Sequence, residues 1–377
     1  VLNIFISQSN FFDKDSIRIN EVIIEEANFS LLSDNFKIFY KNGENKFSQK
    51  KIKINNSNIF FKDNLNELIS IIKISNAFLF FDDKNLFNLF DLKGEIFNIP
   101  FELNYQNIIN SQKKIKIRAP DLKLEIINEF FKKDEDSSYG INNISILSSS
   151  FNTKYIINDQ IVIFQSDGSR VYNSKIDYNG ELAINPFDLN LKINLYNYKI
   201  SNLFTLNSIF NEFIRSGLLF NEKISVHTLV NIKSTKKNEI FNEAKLELRV
   251  LNGKISFDNS IFINNNIGLI EVSNSNLFLE NDKLILTANL SIDINDRDKL
   301  FSFLNTSKES RKDIKNIKLN LIYDFLSNRI EFKNIKINDN EVSDQFQNIV
   351  DEFADNNSNN LTKSRKLLNE LIGLYEG

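Results

Sequence analysis

The chain reads as a mostly β protein: a long antiparallel meander, apolar on one side, with a few amphipathic helices. Three observations carry that reading. From Leu182 to Leu195, and again from Leu284 to Ile294, nearly every second residue is a large aliphatic or aromatic one, with Asn, Asp, Lys or Thr between. Successive side chains of a strand point to opposite faces, so each stretch makes a ribbon greasy on one side and wet on the other. The connections are short, as at Asn281-Asp282-Lys283 and Ser327-Asn328, which is the hairpin regime that sets neighbours antiparallel. Helical spacing, by contrast, is confined to a few places.

Alternation predicts strands at 17–25, 27–32, 36–41, 50–54, 57–61, 68–74, 77–81, 92–97, 99–106, 113–118, 121–127, 143–148, 151–157, 160–165, 169–178, 180–184 and 187–196. Val1-Leu2-Asn3 already looks like a strand. Over 201–216 the pattern changes: Leu203, Leu206, Ile209, Phe210, Phe213 and Ile214 follow 3-4 spacing, with Gly217 as a C-cap. Strands resume at 224–232, 241–251, 253–258, 260–263, 267–272, 275–280, 283–294, 314–324 and 328–337, and 298–308 is a short helical candidate. The acidic stretch 132–138 reads as a solvated hairpin tip. After Ser343 come amphipathic segments at 344–354 and 362–375, the latter carrying Leu367, Leu368, Leu371, Ile372 and Tyr375, with an Asn-rich break at Asp355–Asn360. Helices of this kind cap a sheet end or close over its apolar face, or else bind a membrane or a partner. The organisation expected is therefore a β region at 1–200, a helical interruption at 201–220, a second β region at 221–342 and a helical tail at 343–377.

With 377 residues, 42% hydrophobic and 25% charged, the chain can bury a sizeable core. Lys and Arg number 46 against 49 Asp and Glu, a formal charge of −3, which gives no general attraction to nucleic acid or to anionic headgroups. Gly is scarce at 10 and Pro at 3, so turns fall to Asn, Asp, Ser and Lys. The absence of Cys excludes disulfides, zinc-thiolate sites and thiol catalysis. A chain without Met reads as a piece of something longer. No apolar run reaches the ~18 residues that span a bilayer, Lys73 and Asp82-Asp83 interrupting the best candidate, so a targeting or anchoring helix is left to sequence upstream of Val1.

Catalytic signatures are missing. The single histidine, His227, sits between Val226 and Thr228 in a strand and reads as a surface or pairing residue, with no triad to join. There is no GxGxxG, GxxxxGK or HExxH. Asp293, Asn295, Asp296 and Asp298 resemble a calcium loop superficially, but the Gly and terminal Glu are absent, and a turn with a helix cap fits better. Asp82-Asp83 and Glu25-Glu26 have nothing to set them opposite one another, and Lys50, Lys51 and Lys53 make no nucleic-acid module. The expectation is a protein that is not an enzyme, with no cofactor, no metal and no nucleic-acid partner.

An internal echo is the most specific feature. Gly94-Glu95-Ile96-Phe97-Asn98-Ile99-Pro100-Phe101-Glu102-Leu103-Asn104 is answered by Gly180-Glu181-Leu182-Ala183-Ile184-Asn185-Pro186-Phe187-Asp188-Leu189-Asn190. Apolar parity is even through Ile184 and odd from Phe187, so the face reverses at Pro186, as a bulge or edge kink would require. This module, with the strand pairs at 241–257 and 314–337, resembles the recurring strand unit of the AsmA-like proteins of Gram-negative bacteria, which include the TamB and YhdP branches. The resemblance covers most of the chain in pattern. The N-terminal membrane helix of that family is not in this chain.

The resemblance implies a periplasmic protein, anchored in the inner membrane by a segment upstream of this chain, whose curved sheet rolls into an open, taco-like groove. Relatives are implicated in moving phospholipid toward the outer membrane, so phospholipid acyl chains, the inner membrane and an outer-membrane protein are the implied partners. Burying an acyl chain is favourable by about 0.8 kcal/mol per CH2, so a continuous apolar trough carries lipid without a catalyst. The candidate lining is Leu182, Ile184, Phe187, Leu189, Leu191, Ile193, Leu195, Leu246, Leu248, Val250, Leu284, Leu286, Leu290, Ile292, Ile294, Ile317, Leu319, Leu321, Tyr323, Phe332, Ile335 and Ile337. The same side chains would equally pack against one another in a closed core. The alternative function is a structural or adhesive β-rich envelope scaffold with no lipid path. An outer-membrane barrel fits less well, for want of aromatic girdles and because two amphipathic segments end the chain.

Overall fold

The computed structural model describes residues 1–8, 17–32, 46–62, 68–96, 98–108, 112–132, 137–158, 160–172, 174–183, 186–200, 220–234, 240–280, 283–327, 329–355 and 361–375. The strand expected at 36–41, the helix at 201–216 with its Gly217 cap, Ile184, the turn residues Asn281, Asp282 and Asn328, the middle of the acidic loop and the Asn-rich break after Asp355 lie outside them. The fold is mostly β and dominated by antiparallel pairing. Contacts divide the chain into two compact units, Val1–Asn173 and Ser174–Gly377, so the β region expected over 1–200 draws on both.

Unit 1 contains β1 (Leu2–Gln8), β2 (Ile17–Glu25), β3 (Asn28–Leu32), β4 (Lys51–Lys62), β5 (Leu68–Asp82), β6 (Phe87–Ile96), β7 (Ile99–Ile108), β8 (Gln112–Ala119), β9 (Leu124–Lys132), β10 (Ser137–Ile146), β11 (Ser149–Asn158), β12 (Ile161–Ser166) and β13 (Arg170–Val171). From β4 to β12 each strand pairs antiparallel with the next, the meander that alternation predicts. The start departs from it: β2 and β3 both run parallel to β4, against the expectation of an antiparallel meander with mostly hairpin-length connections.

Unit 2 contains β14 (Ser174–Ala183), β15 (Phe187–Tyr196), β16 (Ile224–Lys233), β17 (Glu243–Leu251), β18 (Lys254–Ser256), β19 (Ile261–Asn264), β20 (Gly268–Glu280), β21 (Lys283–Ile294), α1 (Arg297–Leu304), β22 (Asn316–Asp324), β23 (Arg329–Ile337), β24 (Asn340–Glu341), α2 (Asp344–Asp355) and α3 (Leu361–Leu374). The pairing is antiparallel except between β15 and β16, which are parallel. Asp296 caps α1 by accepting a hydrogen bond from the Lys299 N–H at 3.0 Å, so the acidic cluster around it serves the turn and cap that its residues suggest. No helix among the described residues is long and apolar enough to cross a membrane.

Two sequence readings are corrected in detail. The pairs 50–54 with 57–61, 68–74 with 77–81, and 267–272 with 275–280 are single strands, β4, β5 and β20; the register shifts at Ile74/Asn76 in β5 and at Ser273/Asn276 in β20, whereas in β4 the ladder skips Asn56 with its register against β5 unchanged there. Asn56 and Asn274 sit at positive φ, 45° and 48°, within β4 and β20, and the left-handed residue flips the alternation that reads as a strand end. Nine of the fifteen non-Gly residues at positive φ among the described residues are Asn, which supplies the left-handed geometry that scarce Gly does not. The second correction concerns the echo: the face reversal at Pro186 is a hairpin turn, with Leu182 and Leu189 directly opposite on β14 and β15. The first copy pairs Gly94 with Phe101, whereas the second pairs Gly180 with Leu191, so similar wording serves two registers.

The polar side carries cross-strand ion pairs and amide ladders. In unit 1, Lys53–Glu21, Lys73–Glu95, Lys93–Glu102, Lys114–Glu129 and Lys116–Glu125 lie at 2.7–2.9 Å. In unit 2 the Asn231 amide donates to Asn194 at 3.0 Å, Asn334 donates to Asn320 at 2.9 Å, and Asn320 donates to Asn289 at 2.6 Å. Such exposed pairs are screened by solvent and add little stability, and their main effect is to tie this side to water. Hydrogen bonds from Lys93 to Glu102, and from Lys116 and Arg118 to Glu125, hold both carboxyls below their ordinary range. At Glu247 burial works upward, but hydrogen bonds from Arg249 and His227 outweigh it, and this carboxyl too is held low.

A carboxyl whose folded pKa lies below its unfolded value contributes stability that is complete above the unfolded value, here 4.5, and is lost as pH falls through the folded one. The thermal midpoint is therefore expected to decline below about pH 4.5, and a Glu102→Gln, Glu125→Gln, Glu247→Gln triple variant to show a shallower acid limb. An unchanged limb would show that these three pairs contribute nothing. In urea melts, Asn274→Val is expected to lose about 1–2 kcal/mol through its left-handed φ, while Asn274→Gly stays near wild type.

Candidate functional site

The backbone ladder sets apolar residues directly opposite one another, strand after strand. In unit 1 a single row runs Leu2, Ile24, Ile54, Ala77, Leu92, Leu103, Ile117, Ile126, Ile144, Phe151 across ten strands. In unit 2 one row runs Leu182, Leu189, Val226, Val250, Ile255, Leu277, Leu286, Tyr323, Ile330. A second runs Ile176, Leu195, Ile232, Ala244, Phe262, Ile270, Ile292, Ile317, Ile337 on the same face. Nothing but apolar side chains enters any of the three. A bulge at Asn334, φ 52°, keeps both Phe332 and Ile335 on this face although they differ in parity.

The described members of the sequence-predicted lining all lie on that face of unit 2, yet much of the face is filled. At one end Val226, Val250, Ile255, Leu277, Leu284 and Phe325 form a buried cluster, against which Leu189, Leu248, Leu286, Tyr323, Phe220 and Phe257 pack. At the other, α1, α2 and α3 deliver Phe301, Leu304, Phe346, Val350, Leu371 and Ile372, with Tyr375 just past α3, onto Ile335 and Ile337, and Ile294, Ile317, Leu319 and Phe332 pack against them. Hydrogen bonds tie these helices down: Gln347 Nε2 donates to the Phe332 carbonyl at 2.7 Å, Asn369 Nδ2 to the Leu304 carbonyl at 2.9 Å, and the Tyr375 hydroxyl to the Ile337 carbonyl at 3.4 Å. Leu195 is buried as well. Outside those clusters, Leu182, Leu191, Ile193, Leu246, Leu290, Ile292 and Leu321 are half-buried, and Phe187 is 38% exposed.

Unit 1 is different. Its buried hydrophobic residues, among those described, are only Ile74, Ala77, Phe81, Leu92 and Ala119. In the ten-strand row Ala77 and Leu92 are buried, Leu2 is exposed, and the remaining seven are half-buried. Along β10 and β12 the row's side is nevertheless the more shielded one, because burial alternates with every residue. A packed core would bury such a row almost completely. Over β4–β7 a small cluster of Ile74, Ala77 and Leu92, with Ile54, Ile59, Phe90, Phe101 and Leu103 packed against it, fills part of this face; the rest of the row is sheltered without being buried, and sequence reasoning left it out of the lining. The signal was present in Lys114-Ile115-Lys116-Ile117 and in Leu124–Ile127, but the mixed Asn, Tyr and Phe of neighbouring positions diluted it.

The remaining chemistry is structural. His227 Nε2 lies 3.0 Å from Glu247 Oε1, and Arg249 Nε donates to the same carboxylate at 2.6 Å, on the polar side of β16 and β17. Among the described residues no three His, Asp or Glu side chains are grouped to hold a metal ion. Comparison of the chain with family models, with curated proteins and with solved structures returns no match.

The contrast between the units is measurable. Ile255→Ala, at a fully buried position, is expected to cost about 2–5 kcal/mol, whereas Ile126→Ala on the sheltered face of unit 1 should cost about 1 kcal/mol in the same urea titration. Equal losses would mean that unit 1 has a sealed core.

Proposed function

We propose that the apolar face of unit 1 is a trough for lipid acyl chains, and that the protein carries or shields phospholipid between the inner and outer membranes in support of outer-membrane biogenesis. One observation carries this reading: an apolar row crosses ten directly paired strands with only two of its members buried. Surface of that kind, left half-buried by the described residues, calls for an apolar occupant. A hydrocarbon tail fits because the row is uniform. Each strand adds a rung about 4.8 Å further along, and a tail leaving one rung meets the next without crossing water. Full burial of a sixteen-carbon tail is worth about 12 kcal/mol, so even half-shielding holds it firmly. In this reading the sheet curls round its apolar side as an open, taco-like groove, the chemistry is non-enzymatic, and the protein works in the periplasm, held to the inner membrane by a segment upstream of this chain, with an outer-membrane protein as receiving partner.

A second reading, an envelope scaffold, is favoured by unit 2, where two clusters of the protein's own residues fill much of the corresponding face. The two readings part on what the purified protein holds. Solvent extraction followed by mass spectrometry is expected to yield co-purified phospholipid from the wild type. Leu103→Asp or Ile126→Asp is expected to lower the yield about tenfold while the far-ultraviolet circular dichroism stays β-rich. Protein free of lipid, and unable to take it up from vesicles, would leave the scaffold alone.

A further inference from the structure

The apolar side of β9–β12 is crossed by one polar band. Asn128, Asn142, Thr153 and Ser166 stand directly opposite one another on these four adjacent strands. All four are half-buried, as sheltered as the apolar row beside them. That row, through Ile126, Ile144 and Phe151, flanks the band on one side; an aromatic row of Phe130, Tyr155 and Phe164 flanks it on the other. Tyr155 is laid across the sheet. Its ring lies over Gly140, where a Cβ would collide with it, and its hydroxyl donates to Asn128 Oδ1 at 2.9 Å. The band also contains an unmet acceptor, since Asn142 Oδ1 is buried with no hydrogen-bond partner.

A sheet that needed only grease would not place amides and hydroxyls here, because each must be satisfied away from water. Rows on one face lie about 7 Å apart, so a polar group on the band would have an apolar row at either hand. We infer that the band seats the polar part of a two-tailed lipid, with one tail along each flanking row and a hydrogen-bond donor of the headgroup on Asn142 Oδ1. The inference rests on the trough reading and adds a selectivity to it. The donor is an N–H or an O–H, as in the ammonium of an ethanolamine headgroup or the hydroxyls of a glycerol headgroup. A choline headgroup has neither. The side-chain amide of Asn turns easily about χ2, which lets the acceptor meet a donor arriving from the open side.

The test uses the full 377-residue chain. It is incubated with vesicles of equimolar dioleoyl phosphatidylethanolamine, phosphatidylglycerol and phosphatidylcholine, reisolated, and its lipid quantified by mass spectrometry, with an apolar naphthylamine dye as a second probe. The wild type is expected to retain ethanolamine or glycerol lipid about tenfold over choline lipid, the effect of one sheltered hydrogen bond. Retention of one donor lipid and not the other identifies which headgroup it is. Asn142→Leu is expected to erase the preference with dye binding unchanged, and Asn142→Asp, which keeps the acceptor, to preserve it. Equal retention of all three lipids by the wild type, or a preference that survives Asn142→Leu, overturns the polar seat while leaving the trough. Dye and lipids all unbound by the wild type overturn both.

Discussion

Everything in this molecule depends on register. Each apolar row exists because the backbone ladder holds one side chain directly opposite the next, and the period of a strand is two. A slip of one residue in any pairing would send that strand's apolar set to the wet side and bring lysines and glutamates to the greasy one. The cross-strand ion pairs of unit 1 and the Asn ladders of unit 2 oppose such a slip from the polar side. Left-handed residues at Asn56, Asn274 and Asn334 act from within, reversing parity where the sequence itself changes phase so that apolar side chains stay on one face.

The two units use the same row architecture to different ends. In unit 2 the chain supplies its own cover: aromatic side chains fold over Val250 and Ile255, and α1 to α3 close over Ile335 and Ile337. In unit 1 the described residues contain no α-helix. Among the described residues, most of the ten-strand apolar row there is half-buried, whereas the corresponding rows of unit 2 run into two packed clusters.

Much of this was legible in the alternation. The three described helices fall where periodicity places them, and most strands from β4 to β12 and β20 to β23 overlap their expected stretches. However, β9 and β10 run over Leu124–Lys132 and Ser137–Ile146 where alternation predicts 121–127 and 143–148, and β6 begins at Phe87 where it predicts 92. What did not print was pairing direction. Nothing in Ile17–Glu25 or Lys51–Lys62 says that they run parallel, since partner choice is a long-range matter that local pattern does not encode. Strand count was misread at Asn56 and Asn274 for a related reason: a left-handed residue inside a strand reverses parity just as a turn does. The division of the apolar face into filled and unfilled parts was equally hidden. Leu286 and Ile126 carry the same grease in the same alternation, and only the position of a distant Phe325 or its absence tells them apart.

The parallel register of β15 with β16 bears on how unit 2 assembles. Hairpins such as β14–β15 and β22–β23 close over a few residues and can form early, but Phe187 pairs with Ile224, a partner far along the chain. Loop closure of that length is an entropic toll charged before any contact repays it. The seam between these two strands is thus the natural bottleneck of folding in unit 2, and the place where a nascent chain would stay open longest to capture by a chaperone or by a neighbour's exposed edge.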